Sequence, residues 1–99
     1  MAADLIIAPE AQQDLDEAYA WYEGRRAGLG EEFLGSVDAC LHAICRMPET
    51  HAKVHNEYRS ALVRRFPYSI IYKYAGGTVT VNCIIHTSRN PEIWRRRLP

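Results

Sequence analysis

The sequence contains few cysteines and no long apolar run. Its three cysteines, Cys40, Cys45 and Cys83, are odd in number and lack CxxC spacing, so a disulfide framework is not expected. They lie in apolar sequence, which predicts reduced thiols in the core of a cytoplasmic protein. Residues 1–7 have no basic flank and too short an apolar run for a signal peptide, and no segment approaches the roughly 18 apolar residues of a membrane span. We therefore expect no contact with a membrane.

Motifs that bind cofactors or metals are also scarce. No glycine-rich phosphate loop follows a predicted strand, and Gly76-Gly77 is better explained as a two-residue hairpin turn. His51 and His55 have the i, i+4 spacing of helical metal ligands, but their segment is not convincingly helical and no third ligand is close in sequence. Cys40 and Cys45 would point to different sides of a helix. We therefore predict no cofactor and no metal site.

Lysine is rare, and acidic residues are scarce in the second half of the chain. All but two of the 12 basic residues are arginine. Residues 1–50 carry three basic and ten acidic side chains, a net charge of −7, whereas residues 51–99 carry nine basic and two acidic ones, a net charge of +7. Because arginine pairs bidentately with phosphate or carboxylate, the second half is a candidate surface for an anionic or acidic partner. The alternative is that the acidic half simply neutralises the basic half when they pack together.

The chain length predicts one domain, residues 1–99. Leu5–Ala8 is a short β-prone run that leads directly into a helix at Pro9, because proline is well tolerated in the first helical turn. Apolar residues then recur at helical spacing in two segments separated by a glycine-bearing turn, and the second segment ends at Met47-Pro48. This pattern predicts a helical hairpin.

The second half has the pattern of a sheet. Residues 49–57 show neither period and predict a loop, whereas from Tyr58 the period changes to two. Phe66-Pro67 interrupts the run and Gly76-Gly77 supplies a turn, so we expect a three-stranded antiparallel meander. Asn90-Pro91-Glu92 has the order of cap, proline and acid that begins a short basic C-terminal turn. The predicted order is β-α-α-β-β-β-(α), an α+β domain whose antiparallel sheet is covered on one face by the helical hairpin.

Three phrases of the sequence resemble the RelE/ParE toxin superfamily, in particular its ParE-like branch, often called plasmid-stabilisation proteins. The first is residues 7–15 (IAPEAQQDL), in which Ala8 stands where the family usually has serine. The second is residues 63–72 (VRRFPYSIIY), and the third is residues 85–95 (IHTSRNPEIWR). Together they sample the chain in register, and the resemblance implies a RelE/ParE toxin-like fold.

The resemblance also implies a function. Such proteins are the toxin components of type II toxin–antitoxin systems, and an antitoxin from the same operon holds them inactive. ParE members inhibit DNA gyrase, whereas RelE members cut messenger RNA on the ribosome. We expect this chain to inhibit a host target, DNA gyrase, by binding and without enzymatic activity, and to meet operon DNA only through the antitoxin. Two alternatives remain open, which are a RelE-like ribosome-dependent mRNA endonuclease and a non-toxic, antitoxin-binding regulator of its own operon.

The endonuclease alternative needs a general base, a general acid and well-placed cations. The candidates for these roles are Glu57, Arg65, His86 and Arg89, and the alternative uses Glu57, Arg65 and His86. RelE-like nucleases usually carry a functional arginine at the position that matches Ser69, and serine cannot supply a cation. His86 has a second explanation as a strand-end histidine hydrogen-bonded to the backbone. We therefore favour no catalytic residue.

A basic cluster near the C-terminus is the expected contact with the target. The predicted target-binding residues are Arg65, Arg89, Trp94, Arg95 and Arg96. Tryptophan is enriched in the energetically dominant parts of protein interfaces. The alternatives are that Trp94 packs the last turn onto the sheet and that the terminal arginines form a solvated tail.

The first helix carries more aromatic surface than one small core can hide. Leu15, Tyr19, Trp21 and Tyr22 are therefore the predicted antitoxin-binding residues, because an exposed apolar patch usually marks a partner site. Core packing explains Tyr22 equally well. An antitoxin segment would then bridge this surface and the basic sheet.

Overall fold

The N-terminal third forms the predicted strand and helical hairpin. In a computed structural model that describes residues 2–99, strand β1 (Asp4–Ile7) leads directly into helix α1 (Pro9–Arg25), and helix α2 (Leu29–Arg46) follows after a short turn. Pro9 occupies the first turn of α1, where its missing N–H would have no intrahelical partner. The strand-to-helix start and the hairpin are confirmed.

The turn between the helices is held by a carboxylate that the sequence pattern does not reveal. Glu23 accepts hydrogen bonds from the backbone N–H groups of Gly28 and Gly30, both at 2.9 Å, and so satisfies N–H groups at the start of α2. Gly28 has a φ of +89°, which favours glycine. A Cβ at Gly30 would lie 2.8 Å from Cε2 of Tyr19, so the second glycine makes room for a side chain of α1.

The second half of the chain completes a five-stranded sheet. Its elements are β2 (Lys53–His55), β3 (Tyr58–Leu62), β4 (Tyr68–Ala75), β5 (Thr78–His86) and helix α3 (Pro91–Arg95). The strand order is β1-β5-β4-β3-β2, with β2 to β5 antiparallel and β1 parallel to β5. The α+β class and the antiparallel meander are confirmed.

Two details differ from the sequence prediction. The sheet is mixed rather than wholly antiparallel, because β1 pairs with β5 in the parallel direction. Both helices and three further strands separate these two strands in the chain. The predicted loop at residues 49–57 contains β2, a three-residue edge strand that is too short to show a period of its own.

The two faces of the sheet bury different amounts of apolar surface. The front core lies between the sheet and the helices, and its buried members are Ala11, Ala18, Tyr22, Phe33, Val37, Leu41, Ile44, Cys45, Ala61, Val63, Phe66, Ile70, Tyr72, Val79, Val81 and Ile84. The rear cluster lies under α3 and consists of Tyr58, Ile71, Cys83 and Trp94. The alternation along β4, with Ile70 and Tyr72 in front and Ile71 behind, is that of an ordinary strand.

A β-bulge changes which side chains at the end of β5 point to the front face of the sheet and which point to the rear face. The register with β4 shifts where Ile71 pairs with Cys83 and the next residue, Tyr72, pairs with Val81. Val81 belongs to the front core and Cys83 to the rear cluster, so the extra residue of the bulge changes which side chains face the helices. Ile84 thereby returns to the front core.

The remaining expectations concern the C-terminal helix, the thiols and membrane association. The side chain of Asn90 accepts the N–H of Glu92 and Pro91 begins α3, as the sequence predicts. All three cysteines are free, and burial raises the pKa of the Cys83 thiol to about 11. Over residues 2–99, no helix combines the length and the apolarity that crossing a bilayer requires.

Candidate binding groove

A groove opens beside the C-terminal half of β5. Strand β1 pairs with β5 only from Thr78 to Val81 before the chain turns into α1, so the outer edge of β5 beyond Val81 has no neighbouring strand. Helix α1 forms one wall of a cavity of about 700 Å³, while the end of β5 and the segment around α3 form the other. We call this cavity the β5 groove.

Trp21 is the most exposed aromatic anchor of the β5 groove. Its side chain is 55% exposed, yet its ring packs edge-on against Tyr22 at 5.1 Å between centroids. The guanidinium of Arg25 lies 4.3 Å from the centroid of the indole. Ile93, also exposed, lines the same groove from the α3 side. An indole held in place at the surface beside a second apolar side chain is typical of a protein-binding site.

The other predicted antitoxin-binding residues do not share this exposure. Tyr22 is 8% exposed and packs on Phe33 and Phe66 in the front core, so the core-packing alternative describes its main contacts, and burial raises the pKa of its hydroxyl. Leu15 is partly buried against the same core. The four predicted residues therefore do not form one exposed face, and Tyr22 contributes only to the lining of the groove.

Tyr19 faces the helical turn instead of the β5 groove. Its ring lies against the Cα of Gly30, and its hydroxyl donates a 2.8 Å hydrogen bond to Glu31. That hydrogen bond is the main cause of a raised pKa for the Tyr19 hydroxyl. Tyr19 thus closes the hairpin turn.

The opposite wall of the groove carries polar and basic groups. Nδ1 of His86 accepts the backbone N–H of Ser88 at 3.1 Å and lies 2.7 Å from the Ser88 hydroxyl. Since the backbone donor fixes Nδ1 as an acceptor, the neutral ring carries its proton on Nε2. Arg89 is exposed and lines the groove next to this histidine. This wall therefore offers hydrogen-bond donors and a cation to an anionic group.

An ion pair lines the groove, and the sequence patterns did not single it out. Arg97 donates to both carboxylate oxygens of Asp14, at 3.1 and 2.9 Å, and also to the carbonyl of Asn82 at 3.1 Å. The same carboxylate accepts the N–H of Ile84 at 3.0 Å. The hydrogen bonds to Asp14 are the main cause of the raised pKa of Arg97. Asp14 lies within the first phrase, but no local pattern joins it to a residue 83 positions away.

The predicted target-binding residues are divided among three places. Arg65 lies in the turn after β3 with a φ of +72° and pairs with Glu32 at 3.0 Å. Arg89 lines the β5 groove. The remaining three belong to the α3 region, where Trp94 is 7% exposed within the rear cluster, Arg95 lies near Glu92 at 3.5 Å, and Arg96 is exposed. The packing alternative describes Trp94 in the isolated chain, and Arg65 is separate from the other four.

The three residues of the endonuclease alternative do not meet either. Glu57 lies in the β2–β3 turn and pairs with Lys53, whereas Arg65 follows the other end of β3. Five strand residues alone separate those ends by about 16 Å. His86 lies at the end of β5, where it and Ser69 line a small rear cavity of about 130 Å³ that neither Glu57 nor Arg65 lines. The structure offers no common site for this trio.

The two histidines with metal-ligand spacing have other neighbours. His51 lies 3.3 Å from the hydroxyl of Tyr72 through Nδ1, and the ring of His55 lies 6.3 Å from that of Trp94. In residues 2–99, no three His, Cys, Asp or Glu side chains gather closely enough to hold a metal ion.

Comparison with known proteins places these features in a family context. A family model described as "ParE toxin of type II toxin-antitoxin system, parDE" matches residues 5–91. A solved structure titled "Chromosomal ParDE TA system from P. aeruginosa" contains a chain with a TM-score of 0.76 that covers 86% of this chain and 96% of that one. At 16% identity, this similarity shows a shared fold and nothing finer. No protein with a curated description matches the chain in sequence.

Proposed function

Because the chain belongs to the ParE toxin family of type II toxin–antitoxin systems, we propose that an antitoxin covers its β5 groove and that the free toxin inhibits DNA gyrase by binding. The family membership agrees with the resemblance of the three sequence phrases. The single observation that supports the antitoxin site is the exposed but ordered indole of Trp21 beside the open edge of β5.

The chemistry of the groove defines the segment that would fill it. An apolar side chain of the antitoxin segment would bind between Trp21 and Ile93, because burying both removes exposed apolar surface from water. Arg89 calls for a carboxylate on the other side. Glu17, on the α1 wall, would repel an acid placed there and so fixes the direction in which the segment lies. The fitting partner is an antitoxin segment with an apolar anchor and a nearby acid.

Binding is the mode of inhibition that the arrangement supports best. The trio Glu57, Arg65 and His86 does not converge, and Ser69 supplies no cation at the position where RelE-like nucleases carry one. The exposed guanidinium groups of Arg89 and Arg96 are available to an acidic surface. We propose that these arginines contact gyrase directly, and that Trp94 supports them by fixing α3 on the sheet.

The antitoxin site is tested with the protein encoded beside this gene. The Trp21→Ala variant should bind that protein at least tenfold more weakly in calorimetry, because it loses the central apolar anchor. Leu62→Ala is the matched control, since Leu62 is 70% exposed on β3 and does not line the groove. Equal affinities for both variants would place the antitoxin elsewhere.

The target is tested with the purified toxin. In a supercoiling assay, the wild-type chain should inhibit gyrase, and Arg89→Ala combined with Arg96→Ala should inhibit it much less. Arg46→Ala, which removes an exposed arginine from the end of α2, is the control. Intact supercoiling together with arrested translation and cleaved messages would favour the endonuclease, whereas normal growth after induction would favour the non-toxic regulator.

A further inference from the structure

The outer edge of β5 changes its neighbour halfway along the strand. From Thr78 to Val81 it pairs with β1, and beyond that point side chains take the place of a strand. The N–H of Ile84 faces outward, because it donates to the carboxylate of Asp14 and not to β4. In an antiparallel sheet, the N–H and C=O of one residue point to the same side, so the carbonyl of Ile84 also faces the open edge. An unpaired edge of this kind is a template for strand addition.

Asp14 and Arg97 occupy the hydrogen-bonding positions of a missing strand. Asp14 accepts the outward N–H of Ile84, and Arg97 donates to the outward carbonyl of Asn82. The two side chains are joined by two hydrogen bonds to each other, so neither leaves its position without disturbing the other. The side chains of Arg97 and Asp14 are 27% and 17% exposed, less than those of the other ion pairs found in the described part of the chain.

The pair also fixes the C-terminal segment. Trp94 is buried in the rear cluster, while Arg97 reaches α1 on the front side, so residues 91–97 cross the edge of β5 from one face to the other. Helix α3 has only five residues, which is far too short for an isolated helix to be stable. Its position therefore depends on its contacts with the rest of the chain, which are those of Trp94 and Leu98 in the rear cluster and that of the Arg97 guanidinium with α1.

The closed arrangement leaves two polar atoms poorly satisfied. Nε of Arg97 and Oδ1 of Asn82 are buried and have no hydrogen-bond partner in residues 2–99. Burial without a partner costs free energy, so the closed state is less stable than its four hydrogen bonds alone suggest.

We propose that Asp14 and Arg97 form a latch that closes the free edge of β5 and holds the C-terminal segment across it. When the latch opens, the N–H of Ile84 and the carbonyl of Asn82 become available to an extended peptide, and the anchorage of α3 weakens. Arg97 and Ile93 line the β5 groove, so opening the latch would change the surface that this groove presents to the antitoxin segment. Only this last consequence rests on the proposed function.

The experiment uses the whole chain without any partner. Amide hydrogen exchange by NMR should show that Asp14→Asn speeds exchange at Ile84 at least tenfold, because the amide loses a charged acceptor. The amide of Ile71, inside the sheet, should be unchanged. In a Trp21→Phe background, where Trp94 is the single tryptophan, Arg97→Ala should increase quenching by acrylamide several-fold.

A matched control and a second variant make the outcome decisive. Glu92→Gln breaks the exposed pair with Arg95 on the same helix and should leave both readouts at wild-type values. If Asp14→Asn does not fold, Arg97→Lys, which keeps the charge but loses the bidentate geometry, should show an intermediate increase in quenching. Unchanged exchange and quenching in the latch variants, or an equal rise at every amide, would overturn the proposal. Because no antitoxin is used, this result is independent of whether the proposed function fails.

Discussion

The two faces of the sheet bury very different amounts of apolar surface. The front face is covered by two helices of 17 and 18 residues and contains an aromatic cluster in which Phe33 contacts Tyr22, Phe66 and Tyr68. The rear face is covered by one helix of five residues whose buried residue is Trp94. The free energy of folding must come mainly from the front core, because far more apolar surface is buried there. A local rearrangement of the rear face or of the open edge of β5 should therefore reduce the free energy of folding least.

The arginines show the same difference. Arg97 is tied to α1, and Arg65 pairs with Glu32 on α2, so part of the opposite charge of the two halves is neutralised within the molecule. Arg89 and Arg96 form no ion pair within residues 2–99 and are exposed. Internal neutralisation therefore accounts for Arg65 and Arg97, whereas the contact of Arg89 and Arg96 with an acidic partner stays a prediction.

The largest expected effect is in the front core. Phe33→Ala should lower the free energy of unfolding by about 4 kcal/mol, because a fully buried ring is replaced by a cavity. Urea denaturation followed by circular dichroism measures the change. The exposed Leu62→Ala is the control and should change the midpoint little. A small effect for Phe33→Ala would mean that the front core does not dominate stability.

A smaller effect is expected on the rear face. Trp94→Ala should cost about 2 kcal/mol, less than a core tryptophan usually does, because α3 can detach while the rest stays folded. The same urea experiment measures it. Circular dichroism should retain the helical signal of α1 and α2. A loss as large as that for Phe33→Ala would show that the two faces fold as one unit.

The thiols report local opening on each face. At pH 8 a thiol with a pKa of about 11 is only about one part in a thousand thiolate, so Cys83 should react with a disulfide reagent far more slowly than half-buried Cys40. Trp94→Ala should speed the reaction of Cys83 on the order of tenfold, because both belong to the rear cluster. Cys45, buried in the front core, is the internal control. Equal acceleration at both buried thiols would indicate global unfolding instead.

The smallest effect concerns Glu32, which pairs with Arg26 and Arg65 on the surface beside the front core. Hydrogen bonds from Arg26 and then Arg65 lower the pKa of Glu32 below its ordinary value of 4.5. The folded state therefore holds this proton less tightly than the unfolded state, so the contribution is present above about pH 4.5 and is lost as the pH falls through the folded pKa. Glu32→Gln should shift the urea midpoint slightly at pH 7 and less at pH 3. The exposed Leu62→Ala, which removes no titratable group, is the control and should shift the midpoint equally at both pH values.

Hydrophobic periodicity and the residues that begin helices or form turns were enough to predict most of the fold. The strand entering a helix at Pro9, the hairpin, the turn at Gly76-Gly77 and the cap at Asn90 all depend on neighbours in sequence. Strand β2 was missed because three residues at an edge carry too little pattern. The parallel pairing of β1 was missed because no local signal states which strand a distant one will join.

The candidate site was only partly predictable. Composition identified the aromatic surplus of α1, and Trp21 is indeed exposed beside the groove. Composition could not distinguish it from Tyr22, because adjacent residues on a helix point in directions about 100° apart and only the packing partners decide which one is enclosed. The sequence likewise could not show whether Trp94 faces solvent, because its burial depends on the rear surface of the sheet.

The sequence by itself determined the class of the fold, the family and the separation of charge, because these follow from local spacing and from the identity of side chains. Tertiary structure alone decided that β5 has an open edge, and that Asp14 and Arg97 meet across it. The physical reason is that a hydrogen bond between residues far apart in the chain depends on where every intervening element packs. The same packing also decided which arginines stay exposed.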